Sequence, residues 1–302
     1  MLNFSSVRLV LSTQHEEITI RDEESAASLS IGDVAEQTGV PPGTLRTWEQ
    51  RYGIPIATRL NGGHRRYRAD TVDLVLEVLR QRAAGLSMAL AVERAKAVDE
   101  QPETSVFAGV RRRHANLRAQ LLRKSAVLAL SRALEDECCA QADRPVLFAS
   151  FQRERFYSAS ERRWVELSRT ARSAVVFADF TAPTPTTHGP LQVCVPFDAP
   201  INREWVLVCD SADYPGCVVG WEPPGQARGR DDARRFETFW SLDPRVVRSA
   251  ARICAHLSEQ YSPVAPRLPE LLLDQPPVAS ADLRRASGVL DRMLGYLSAS
   301  GS

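Results

Sequence analysis

Apolar positions recur at two different periods along the chain, and the change of period divides it. From Leu29 the spacing is helical. Ile31, Val34, Ala35 and Thr38 share one face, Ser30 is placed to cap them, and Leu29 and Val34 can staple the helix start. Gly39 supplies a turn and Pro42 suits a first helical position. A second helix over roughly Pro42 to Arg51 then buries Leu45 and Trp48 before Gly53 stops it. The small residues Ala35 and Gly39 are expected where the two helices cross closely, the helix-turn-helix pattern. Two short extended runs around Asn61, Gly62 and Gly63 read as a hairpin, a small β-wing. Asp70 caps a third helix striped by Val72, Val75, Leu79 and Ala83, and Ser87 opens a fourth that runs to about Val98.

Beyond Ser125 the pattern changes. One helix carries Val127, Leu130, Leu134 and Cys138 on a single face. Short apolar runs follow at Val146 to Phe151, Ala174 to Phe180, Leu191 to Phe197, Glu204 to Asp210, Gly216 to Glu222 and Arg235 to Leu242. Ser160 to Ala171 is helical between the first two, and Asp243 and Pro244 start a helix after the last. With only one helix among these runs, Leu191 to Leu242 is expected to be an antiparallel meander. The fold class predicted is multidomain, α and α/β: an N-terminal all-α winged helix-turn-helix with a small β-wing, then an α/β sensor-type domain with a mostly antiparallel sheet. The expected ranges are a flexible leader at 1–28, the winged helix at 29–98, a linker with a helix at 99–119, and the sensor at 120–262. Residues 263–302 complete the chain as a Pro-rich linker and an amphipathic helix with Leu283, Leu290, Leu294 and Leu297.

Composition narrows the function. The 302 residues carry 38 Lys plus Arg against 37 Asp plus Glu, a net charge of +1, and 44% are hydrophobic, so neither global disorder nor a uniformly basic coat is indicated. Placement says more: from Pro41 to Arg68 six arginines face one acid, Glu49. Arginine richness alone means little here, because Lys96 and Lys124 are the only lysines. The six cysteines form no CxxC pair, which suits a reducing compartment, and no apolar run approaches the roughly 20 residues of a membrane helix, so a cytoplasmic protein is expected. The five histidines are far apart and no Walker A, HExxH, GxSxG or GxGxxG motif occurs. No metal, cofactor or catalysis is expected.

The candidate site is the basic helix and hairpin. DNA binding needs cations aimed at phosphates and a few side chains at base edges. Thr44, Arg46, Thr47, Arg51 and Tyr52 on the second helix are candidates for the major groove, and Arg59, His64, Arg65, Arg66, Tyr67 and Arg68 in the wing for the backbone. Tyr67 has two readings, a core anchor or a phosphate contact. Arg111, Arg112 and Arg113 read as a solvated helix face or a linker packing against acids of the other protomer, in preference to a second DNA contact. In the sensor, Glu135, Asp136, Gln152, Arg155, Asp179, Asn202, Arg203 and Glu204 sit in apolar contexts, where buried polar groups must pair with each other or with a ligand.

Two resemblances sharpen this reading. LSIGDVAEQTGVPPGTLRTWEQRYGIP and GGHRRYRADTVDLVLEVL, within residues 29–98, resemble the MerR family of winged-helix transcriptional regulators. TLRTWEQRYG and GGHRRY are similar to the subgroup with the cobalamin-dependent light regulators. That subgroup's DxHxxG loop is missing, since Thr186 stands two before His188, so cobalamin is not expected. LRKSAVLALSRALEDECCAQADRPVLFASFQRERFY, with AVVFADF, NREWVLVCD, GWEPPG and RRFETFW, resembles the DICT sensory domain over about 120–262. The resemblances imply a homodimer on a near-palindromic element of double-stranded promoter DNA, distortion of that DNA for RNA polymerase, and a second domain answering a small-molecule or protein signal. A DNA-tethered protein-interaction module without a small ligand is the alternative.

Overall fold

Ser30 caps the first helix with a complete capping box: its hydroxyl accepts from Asp33 N at 3.2 Å while Asp33 accepts from Ser30 N at 2.7 Å. Helix α1 (Ile31–Thr38) ends at Gly39 in the left-handed region, φ +73°, and helix α2 (Pro42–Tyr52) ends the same way at Gly53, φ +67°. A Cβ on Gly39 would meet nothing within 4 Å, so this glycine serves the turn and not the close helix crossing expected of it. The wing pairs β1 (Ala57–Arg59) with β2 (Arg65–Tyr67), and helices α3 (Asp70–Ala83) and α4 (Met88–Glu100) follow. The computed structural model describes residues 29–59, 65–68, 70–100, 103–181, 189–226 and 231–262, with scattered positions between 268 and 290. The leader, the wing tip with His64, and most of the expected C-terminal helix, Leu294 and Leu297 included, lie outside the described residues.

Contacts divide the chain into two units, with the break between residues 101 and 102. In the first, Leu29, Val34, Val40, Leu45, Tyr67, Val72 and Val75 form one core, and Leu29 extends the wing by exchanging two backbone hydrogen bonds with Tyr67.

The second unit opens with α5 (Val106–Arg113), inside the stretch expected to be a linker with a helix. Val106, Phe107 and Val110 are buried in this unit's own core. The elements that follow are β3 (Gln120–Arg123), α6 (Lys124–Leu134, prolonged by a π-turn over Glu135–Cys139), β4 (Val146–Ser150), α7 (Glu154–Ser158) and α8 (Glu161–Thr170). Then come β5 (Ser173–Ala178), β6 (Leu191–Cys194), β7 (Glu204–Asp210), β8 (Gly216–Trp221), β9 (Arg235–Ser241) and α9 (Pro244–Tyr261). One seven-stranded sheet runs β3-β9-β8-β7-β4-β5-β6. Four of its pairings are antiparallel, while β4–β5 and β5–β6 are parallel. The expected meander therefore holds for β7, β8 and β9 and fails for β6, which lies parallel to β5. A crossover needs about a dozen residues and Asp179–Pro190 provides them, so counting helices underestimated the parallel part.

Helices cover both faces, which is why the strands read as continuous apolar runs. Val146, Phe148, Val206 and Val208 face α5 and α9, while the alternate residues Leu147, Ala149, Leu207 and Cys209 face α6 and α8 with Trp164. No helix among the described residues is long and apolar enough to cross a membrane.

Candidate nucleic-acid interface

Leu45 is fully buried and Trp48 half-buried, and this anchoring of one stripe turns the opposite side of α2 outward. Thr44, Arg46, Thr47 and Arg51 are all exposed there, and Thr47 spends its hydroxyl proton on Gly43 O at 3.0 Å. Tyr52 is half-buried: its ring packs on the cluster of Ile54, Val78, Ala91 and Val92, and its carbonyl accepts from Lys96 at 3.4 Å. It is as much a core residue as a surface one.

In the wing, Arg65 and Arg68 are exposed and Arg66 is half-buried. Arg59 stands in β1 opposite Arg65 in register. Tyr67 resolves between its two readings: it is fully buried between wing and helices, with no surface for a phosphate. Its hydroxyl donates to Glu49 Oε2 at 3.4 Å, while Arg65 Nε lies 3.4 Å from Glu49 Oε1. Burial, then the Glu49 charge, pushes the Tyr67 phenol above its ordinary pKa, so it stays a neutral donor. Glu49, counted in the sequence only as the lone acid of a basic stretch, thus fastens the end of α2 to the wing. A single acid persisting among six arginines was the signal for it.

Arg111, Arg112 and Arg113 are turned to other work. Arg112 and Arg113 bind Glu103 at 2.8 and 2.7 Å, and Arg111 lies over the Phe107 ring at 5.3 Å.

This geometry, a small-residue turn between two short helices and a basic hairpin tied to the second, has known relatives. Residues 29–97 match the family described as MerR HTH family regulatory protein, and residues 104–223 match DICT, described as a sensory domain in diguanylate cyclases and two-component systems. The chain joins a MerR-type helix-turn-helix unit to a DICT domain. Its MerR-type unit is a DNA-binding module of transcription regulators. Among curated proteins, the chain is 39% identical over 80 residues to the HTH-type transcriptional repressor CarA of Myxococcus xanthus, covering 25% of this chain and 28% of the relative. It is also 39% identical over 54 residues to the HTH-type transcriptional regulator MlrA of Escherichia coli, covering 18% and 22%. The MlrA of Salmonella typhimurium matches to the same extent. The chain spans less than a third of the length of each of these relatives.

In the DICT domain the polar residues flagged in the sequence are largely paired inside the fold. Glu135 accepts from Arg163 and, at 3.2 Å, from Arg132, although burial raises its pKa, and Asp136 also accepts from Arg163. Asp179 binds Arg153 at 3.0 Å and caps α7 through Glu154 N at 2.7 Å. Glu204 caps α5, accepting from Ser105 and from Val106 N at 2.9 Å, and burial pushes it up to about 7 against those bonds. Asn202 donates to Pro196 O at 2.5 Å and Arg203 to Glu222 O at 2.9 Å. Arg155 lies over Phe156 at 4.8 Å. Cys138 and Cys139 are both buried. Burial pushes the Cys138 thiol up to about 11 and Cys217 up to about 12, which keeps them protonated at neutral pH. No group of His, Cys, Asp and Glu among the described residues could hold a metal ion. Of the flagged set, Gln152 keeps its amide nitrogen and Asn202 its side-chain oxygen as buried groups without a hydrogen-bond partner among the described residues.

Proposed function

We propose that the protein is a transcriptional regulator that binds promoter DNA as a homodimer through α2 and the wing, and whose DICT domain passes a signal to the dimer. The observation that carries this reading is the outward row of Arg46, Thr47 and Arg51 on α2 beside Arg65 and Arg66 of the wing. The row stands on a core that fixes it through Leu45 and Tyr67. The first residues of such a helix reach base edges in the major groove, while wing cations meet phosphates. Thr44, Tyr52, Arg59, His64 and Arg68 complete the proposed interface, with Tyr67 acting from beneath it. Twofold symmetry pairs two recognition helices with a near-palindromic element, and distortion of that element would bring RNA polymerase into the same complex.

The test is binding of the full chain to selected genomic fragments across a salt series. Arg46→Ala and Arg65→Ala should weaken binding, and each lost phosphate contact should flatten the log–log salt slope by about 0.9. Variants that bind as tightly as the parent, with the same slope, would overturn the proposal. Sedimentation with and without DNA reads the dimer separately.

A further inference from the structure

At the C-terminal end of β4, on the sheet face covered by α6 and α8, the DICT domain contains a pocket of about 240 Å³. Its walls are aromatic, with Phe151, Phe156, Trp164 and Trp205 around it. The charged groups on the wall are already paired. Lys124 is held by Asp231 and lies over Phe156 at 4.6 Å, and Glu135 accepts from Arg132 and Arg163. Two residues on the wall carry a buried N–H that is not paired. Gln152 Nε2 and Trp164 Nε1, on residues 4% and 1% exposed, have no hydrogen-bond partner among the described residues. Buried donors are normally satisfied, so two orphans in the wall of one cavity require an explanation.

The orphan on Gln152 is fixed in identity. Arg234 donates to Gln152 Oε1 at 2.7 Å, and a guanidinium can only donate, so the carbonyl must face Arg234 and the amide nitrogen must be the free end. Arg234 is itself held by Glu222 and Asp231 and cannot turn to release it. The Gln152 backbone sits at φ +62°, a left-handed conformation that side-chain-bearing residues seldom adopt and that concentrates at ligand sites. An indole N–H is likewise a donor and never an acceptor. Both vacancies therefore ask for lone pairs from outside the protein.

We infer that this pocket is a ligand site for a neutral, planar one- or two-ring molecule that offers hydrogen-bond acceptors, a ring carbonyl or a ring nitrogen, to Gln152 and Trp164. Size agrees: a cavity of about 150 Å³ holds a single benzene, so this one admits a bicycle. Paired charges on the wall leave no spare cation for an ionised ligand, and aromatic faces favour stacking. The inference deepens the signalling reading above and rests on it.

Full-length protein labelled with ¹⁵N is titrated with coumarin and with isoquinoline, and in parallel with naphthalene, the hydrocarbon of matching size. The Trp164 indole resonance is assigned by its loss in Trp164→Phe. Coumarin and isoquinoline should move that resonance and bind at least about tenfold more tightly than naphthalene, and Gln152→Leu should remove about tenfold of that affinity. Equal affinity for naphthalene, an unmoved Trp164 resonance, or no binding up to the solubility limit would overturn the site. The comparison of ligands on the parent protein decides the matter even if a variant fails to fold. DNA affinity measured with and without coumarin separates the two readings. An occupied pocket with unchanged DNA affinity would sink the signalling role and keep the site, whereas an unoccupied pocket sinks the site alone.

Discussion

Tyr67, fully buried, and His114, half-buried, are two groups whose removal from water decides their charge. Removing the Tyr67 hydroxyl as Tyr67→Phe keeps the ring in the core and deletes one hydrogen bond to Glu49. Denaturant unfolding should report a loss of about 1 kcal/mol, while the salt slope of DNA binding stays that of the parent, because the hydroxyl meets no phosphate. His114 shares a proton position with Ser249 Oγ at 2.8 Å. Desolvation, helped by Arg113 and Arg245 and opposed by Asp243, lowers its pKa from 6.5 to about 4. The unfolded chain then binds the extra proton first, so the stability this neutral ring contributes is complete above pH 6.5 and is lost as pH falls towards 4. His114→Gln should flatten the pH dependence of unfolding across that window, by at most about 3 kcal/mol. A variant whose acid profile overlays the parent's would refute this account of His114.

Among the elements, α9 is bound to the sheet by more than apolar packing. Arg248 and Asp210, each side chain 5% exposed, form a two-pronged pair between α9 and β7, and Arg248 also donates to the Leu272 carbonyl. Arg248→Ala leaves Asp210 buried and uncompensated, and chemical unfolding should show a loss of about 3–5 kcal/mol. The double variant Arg248→Met with Asp210→Leu should recover most of it, since two matched apolar groups leave no stranded charge. The helices of the MerR-type unit were legible because their caps are local: Ser30 with Asp33, Gly39 and Gly53 all act within one turn of the residues they cap. Individual DICT strands were legible as apolar runs for the same reason. The direction of β6 was not, because strand polarity depends on where a connection returns and not on the strand's own residues. Nor could spacing reveal that Glu49 would reach Arg65 and Tyr67, or that Arg234 would orient Gln152 from across the domain, since those meetings exist only after the sheet and wing have closed.

At the scale of the molecule, the DICT sheet extends past the stretch that matches its family. Strand β9 lies between β3 and β8, pairing Leu122 with Phe236 and Val219 with Phe239, and α9 covers one face together with α5. A fragment of residues 104–223 lacks both and should show no cooperative unfolding transition, while residues 102–272 should unfold as one unit; circular dichroism on heating distinguishes them. The pairing of β3 with β9 also joins the first strand of this sheet in chain order to the last. Synthesis by the ribosome starts at the N-terminus, so the helix-turn-helix unit, whose long links such as Lys96 to Tyr52 close across 44 residues, can fold while the sheet is still waiting for its closing strand. On the function proposed above, a message cut short anywhere between the codons for Pro102 and Arg235 would release the proposed DNA-binding unit without a closed second sheet, free to occupy the sites the intact protein would use.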